Sequence, residues 1–72
     1  MTTKSPIERA IEIFGTQTAL ADAIGTSQPF VSQWVLDYRP VSPRFARKIE
    51  EVTGGQVTRY QLRPDVFGES AA

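Results

Sequence analysis

A chain of 72 residues with no net formal charge, no Cys and no His has few ways to hold itself together. Disulfides and the usual Cys/His zinc sites are excluded, so apolar packing must do the work, helped by self-association if the core is small. At 40% hydrophobic and 22% charged, with no membrane-length apolar run and no secretory pattern at its start, it reads as one globular domain over residues 1–67 with a frayed tail at 68–72, expected in the cytoplasm.

Helix punctuation is clear from the first residues. Ser5-Pro6 supplies an N-cap followed by Pro at the first helical position, and Glu8 is placed to complete a capping box. Ile7, Ala10, Ile11 and Phe14 form one apolar stripe, which Gly15 can end. Thr16 caps a second helix carrying Leu20, Ala21 and Ile24 before Gly25. Thr26 or Ser27 caps a third, where Pro29 falls in the first turn and removes no needed donor, with Val31, Trp34 and Val35 inward. Pro40 breaks the chain, and Ser42-Pro43 repeats the opening of helix one. Phe45, Ile49 and Val52 space as a core stripe that Gly54-Gly55 stops. Beyond this, Thr58 and Gln61 suggest a capping box for a short helix, with Pro64 as its limit. QVTRYQL would also serve as an edge strand. The expected fold is all-α, a compact bundle of four to five short helices, with the strand as the alternative for residues 56–63.

Only a few residues around Gly25 join the second and third helices, the mark of a helix-turn-helix. That arrangement needs a small residue at Ala21, positive φ at Gly25, and apolar wedge residues at Leu20, Ile24, Val31 and Trp34. Setting Val31 inward leaves Gln28, Pro29, Ser32, Gln33 and Leu36 outward, a face with no charge. Base edges in a duplex are neutral donors and acceptors, so neutral, bifunctional side chains suit them. Gln can bond adenine bidentately, worth about 1–3 kcal/mol against a wrong base. Gln28, Pro29, Ser32 and Gln33 are the expected base readers. The competing readings are a tolerated first-turn residue at Gln28, an equally incidental polar residue at Gln33, and mere close approach at Ser32.

Residues 17–36, QTALADAIGTSQPFVSQWVL, resemble the Cro/CI-type helix-turn-helix of phage and bacterial repressors. With RPVSPRFARKIEEVTGG and LRPDVF, the wider chain over about residues 6–67 is similar to small YdaS-type antitoxins and Cro-like regulators. Two positions depart from the pattern: Thr26 stands where Val or Ile is usual, and Asp37 where a Gly often follows the recognition helix. The resemblance implies that residues 27–36 lie in the major groove and that Gln17 clamps the DNA backbone.

Charge is distributed in a way that supports such a partner. Residues 1–36 carry −1, residues 37–63 carry +3 and the remainder −2. Expected backbone contacts are Gln17, Ser27, Tyr38, Arg39, Arg44, Arg47 and Lys48, with Arg39 and Arg44 favoured. Ser27 reads first as an N-cap, Phe30 as partly core with a thymine-methyl contact as its alternative, and Arg47 and Lys48 equally as partners of Glu50 and Glu51. Arg59 is a weaker candidate. Tyr60, Leu62, Val66 and Phe67 exceed what a tail needs, and form either a dimer surface or a cover for the core.

No His, Cys, glycine-rich phosphate loop or metal cluster is present, and Glu50-Glu51 are neighbours rather than a converging pair. An enzyme, a cofactor, a metal and a small-molecule substrate are therefore not expected. The expectation is a sequence-specific regulator of double-stranded DNA, a repressor of phage, plasmid or toxin-antitoxin type acting on its own promoter. It would bind a pseudo-palindromic operator as a homodimer. The alternative is a helix-turn-helix module that binds a protein, such as a toxin or another regulator.

Overall fold

Ser5 opens the first helix by the reciprocal bonding its spacing to Glu8 allows. In the computed structural model, which describes residues 4–68, the Ser5 hydroxyl accepts from the Glu8 N–H at 3.3 Å and the Glu8 carboxylate accepts from the Ser5 N–H at 3.0 Å. Those bonds, the backbone one foremost, hold the Glu8 carboxyl below its ordinary value. They start α1 (Pro6–Phe14). Thr16 caps α2 (Gln17–Ile24) through the Ala19 N–H, and Ser42 caps α4 (Pro43–Val52) through the Phe45 N–H. Between them lies α3 (Gln28–Val35).

The C-terminal segment is helical, and the edge-strand alternative is corrected. Thr58 and Gln61 form a complete capping box at the head of α5 (Arg59–Leu62), which satisfies two donors at once. A strand there would find no partner, since no other described residue is in a strand. Pro64 does more than limit this element. The residue before it, Arg63, leaves the helical region (φ −138°, ψ 67°), and Pro64 then begins α6 (Pro64–Phe67) as its first residue. The described residues thus hold six helices, one more than the upper expectation. Of the expected frayed tail, residues 69–72 lie outside the described residues.

The core gathers the inward stripes of the first four helices: Ile7, Ala10, Leu20, Ala21, Ile24, Val31, Trp34, Ala46 and Ile49. Ile11, Phe14, Val35, Phe45 and Val52 lean on it. Two more buried residues, Val41 and Val57, come from loops, where no helical period announces them. Val57 is held by Thr53, the one buried polar residue among those described. The Thr53 hydroxyl donates to the Ile49 carbonyl at 2.8 Å and accepts from the Val57 N–H at 3.2 Å. Arg9 adds a long-range tie from α1 to this loop, donating to the Gln56 carbonyl at 3.0 Å.

Candidate nucleic-acid interface

The turn between α2 and α3 is built as its sequence demands. Gly25 takes a left-handed conformation (φ 80°, ψ 33°), which a Cβ would make costly. Its N–H and that of Thr26, the latter at 2.9 Å, both bond the Ala21 carbonyl, so the helix end is satisfied before the chain turns. The wedge residues Leu20, Ala21, Ile24, Val31 and Trp34 are all buried. These features assemble the helix-turn-helix.

The far end of α3 closes on an unusual residue. Asp37 has φ 62°, the single non-glycine with positive φ among the described residues. Its N–H bonds the Trp34 carbonyl at 3.2 Å, and the Tyr38 N–H bonds the Gln33 carbonyl at 3.0 Å. That pair of bonds is a Schellman motif, which normally places Gly at this position. Asp37 therefore does the backbone work of the glycine its position departs from.

On the outer face of α3, Gln28 and Pro29 are exposed and Ser32 is half-buried. The Gln28 amide donates to the Gln17 side-chain oxygen at 2.6 Å, tying the first residues of α2 and α3 together. Ser27 occupies the N-cap position, one of the two expected for it, but its hydroxyl makes no capping bond. The backbone N–H groups of Phe30 and Val31 instead bond the Ser27 carbonyl. Gln33 is less open than the helical wheel implies. It is half-buried, and its Oε1 is buried without a hydrogen-bond partner in the protein. Leu36 and Tyr38 project at the end of the face, 56% and 77% exposed.

Among the basic residues the structure separates free from engaged. Arg63 is engaged: it donates twice to Asp65, at 2.9 and 2.8 Å, and to the Val41 carbonyl at 2.8 Å. The pairing lowers the Asp65 carboxyl below its ordinary range. Arg59 donates to the Tyr60 hydroxyl at 2.9 Å and lies over the Tyr60 ring. Arg39, Arg44, Arg47 and Lys48 are exposed, and no described carboxylate pairs with them. The expected pairing of Arg47 and Lys48 with Glu50 and Glu51 is thus corrected. Glu50 accepts instead from the Arg59 backbone N–H at 2.8 Å, and Arg47 lies over the Phe67 ring.

Two aromatic contacts were not anticipated. The Arg39 guanidinium lies 5.8 Å from the centre of the Phe30 ring, and that of Arg44 lies 5.4 Å from the Phe45 ring. No period links Phe30 to Arg39, nine residues apart, so only the fold reveals the pair. Of the apolar C-terminal set, Leu62 and Phe67 lean on the core, Tyr60 meets Phe67 edge-on at 6.5 Å, and Val66 is exposed.

With this geometry in place, comparison with known proteins is informative. Residues 7–71 match the family described as "Bacterial toxin YdaS". The chain belongs to the YdaS family. A curated relative of this YdaS-family chain, "Putative transcriptional regulator YdaS" of Escherichia coli (strain K12), is 36% identical over 59 residues. The match takes in 82% of this chain but only 60% of that relative's length. Among solved structures, the Cro protein from a prophage element in Xylella fastidiosa strain Ann-1 has a TM-score of 0.83 and 38% identity. The match covers 90% of this chain and 98% of the Cro protein. The resemblance to YdaS-type and Cro-like proteins is borne out, and the all-helical fold is shared with a Cro protein.

Proposed function

We propose that this YdaS-family chain is a transcriptional regulator that binds double-stranded DNA in a sequence-specific way and represses its own promoter. The observation that carries the reading is the outer face of α3: neutral, opened at an N-cap whose hydroxyl is unspent, and flanked by arginines without carboxylate partners. Helices α2, α3 and α4 have no acidic residue in their first turns, whereas α1 and α6 do. An anionic backbone would supply the missing negative charge at those three ends. Arg44 sits in the first turn of α4, where the helix dipole disfavours a cation, so its place makes more sense beside a phosphate.

In this reading Gln28, Pro29, Ser32 and Gln33 face bases. Gln17, Ser27, Tyr38, Arg39 and Arg44 hold the backbone, with Arg47 and Lys48 nearer the edge. A homodimer binds a pseudo-palindromic operator, using the exposed part of the C-terminal segment around Val66. The names of the curated relative and of the prophage Cro protein support the same class. The rival reading, a module that binds a toxin or another regulator, calls for an apolar or acidic face on α3. Its support there is the exposed Phe30 on α3, with Leu36 and Tyr38 just beyond the helix end.

Fluorescence anisotropy with the chain's own upstream DNA and with a scrambled duplex, across a salt series, tests the proposal. Preference for the upstream DNA at every salt is expected; equal affinity for both sequences overturns it. Gln28→Ala and Gln33→Ala should relax base preference, whereas Arg39→Ala and Arg44→Ala should weaken all sequences alike.

A further inference from the structure

Arg39 and Arg44 leave the chain on different elements, one in the loop after α3 and one in the first turn of α4. A long side chain on a loop ordinarily samples many rotamers and loses that freedom when fixed on a phosphate. Here each guanidinium already lies over a ring. Arg39 is 5.8 Å from the centre of Phe30 and Arg44 is 5.4 Å from that of Phe45. The two rings are joined through Trp34, which meets Phe30 edge-on at 6.4 Å and Phe45 at 5.6 Å. Trp34 itself is 5% exposed and anchored in the core. Phe30, Trp34 and Phe45 therefore form a continuous set of ring contacts that lines one groove with Arg39, while Arg44 lies over the Phe45 ring from outside that groove's lining.

From this geometry we infer that Phe30 and Phe45 are positioning residues, which hold Arg39 and Arg44 ready as a two-point clamp on the phosphate backbone beside the recognition helix. Phe30 is 41% exposed, so its ring is open at the surface where the Arg39 guanidinium lies over it. The ring face supplies electrostatic attraction without competing for the guanidinium donors, which stay free for phosphate oxygens. A carboxylate partner would hold the same arginines but occupy those donors. The set of rings thus fixes the direction of both cations and leaves their hydrogen-bonding capacity intact.

The inference rests on the DNA-binding reading, and the experiment separates the two. Because phosphate contacts carry no sequence information, a fluorescent duplex of random sequence at low salt suffices as the probe. Arg39→Ala and Arg44→Ala should each weaken binding and reduce the salt slope by about one. Phe30→Leu and Phe45→Leu, which keep apolar volume but remove the ring, should each weaken binding by about two- to fivefold. Phe30→Tyr, which keeps the ring, should lose less than Phe30→Leu. In a double-mutant cycle, Phe30→Leu should have no further effect once Arg39 is Ala, and likewise Phe45→Leu once Arg44 is Ala. Thermal melts of every variant exclude loss of fold as the cause. If the phenylalanine and arginine effects add independently, the positioning role is overturned while the DNA-binding reading stands. If neither arginine affects any duplex, the clamp fails together with that part of the reading.

Discussion

Asp37 holds a left-handed conformation at φ 62°, a region where a residue with a Cβ is strained by roughly 1–2 kcal/mol, less for Asp and Asn. Replacing it with Gly removes the strain but frees the unfolded chain, so Asp37→Gly should stabilise the fold by about 0.5–1 kcal/mol. A urea midpoint that is unchanged or lower would mean the carboxylate compensates for the strain. Gln33 poses the opposite balance. Its side-chain oxygen is buried without a partner, which costs roughly 1–3 kcal/mol in the free protein. Gln33→Met, of similar shape and without that oxygen, should raise the unfolding free energy by about 1 kcal/mol, read as a higher urea midpoint, while relaxing base preference. Stability gained together with preference lost would mark Gln33 as kept for recognition; stability gained alone would assign it no reading role. Thr53 is a third kind of residue, buried and fully bonded. Thr53→Val strands the Val57 N–H and should destabilise by about 1–3 kcal/mol, read by the same denaturation.

At the scale of elements, caps decide both what forms and what the sequence discloses. The Ser5–Glu8 box and the Arg63–Asp65 pair each hold a carboxyl below its ordinary value. A lowered carboxyl contributes stability above its unfolded value, about 4, and loses it as pH falls through the lowered folded value. The melting temperature should therefore drop below about pH 4, and the drop should shrink in a Glu8→Gln, Asp65→Asn double variant. A profile identical to the parent's would remove both carboxyls from the account. The first four helices were legible because each has a Ser or Thr cap position, an inward stripe, and a glycine or proline break. Residues 56–63 were not, because four residues are too short for any period to emerge. The Thr58–Gln61 box was the readable signal, and a strand would have needed a second strand that the sequence does not supply. Pro64 was read as a stop when it also begins α6. The helix-turn-helix wedge was legible through local spacing alone. The burial of Gln33 and the ring beneath Arg39 were not, since both depend on contacts between elements.

The described residues span 31 × 29 × 22 Å and offer, in α3, one proposed recognition helix of eight residues. Such a helix is about 12 Å long, enough to enter a single stretch of major groove but not two. On the proposed DNA-binding reading, a few base readers and a few phosphate contacts would make one protomer a weak binder at physiological salt. Two copies resolve this. Half-sites one helical turn apart lie about 34–36 Å from centre to centre, close to the long dimension of one protomer, so neighbours on one side of the duplex can meet. In that proposal symmetry would make the operator pseudo-palindromic, and contact between the copies would add to affinity without any new base contact. The spacing is the testable part. Inserting about 5 base pairs between half-sites turns the second recognition helix to the opposite side of the duplex, beyond reach of its partner. Apparent affinity in a titration should fall about tenfold or more, because the second event loses its high effective concentration. Single-protomer binding to each half-site should remain, with its salt dependence unchanged. If affinity is indifferent to the insertion, protomers bind independently and the two-copy reading fails, while the recognition face of α3 is left untouched.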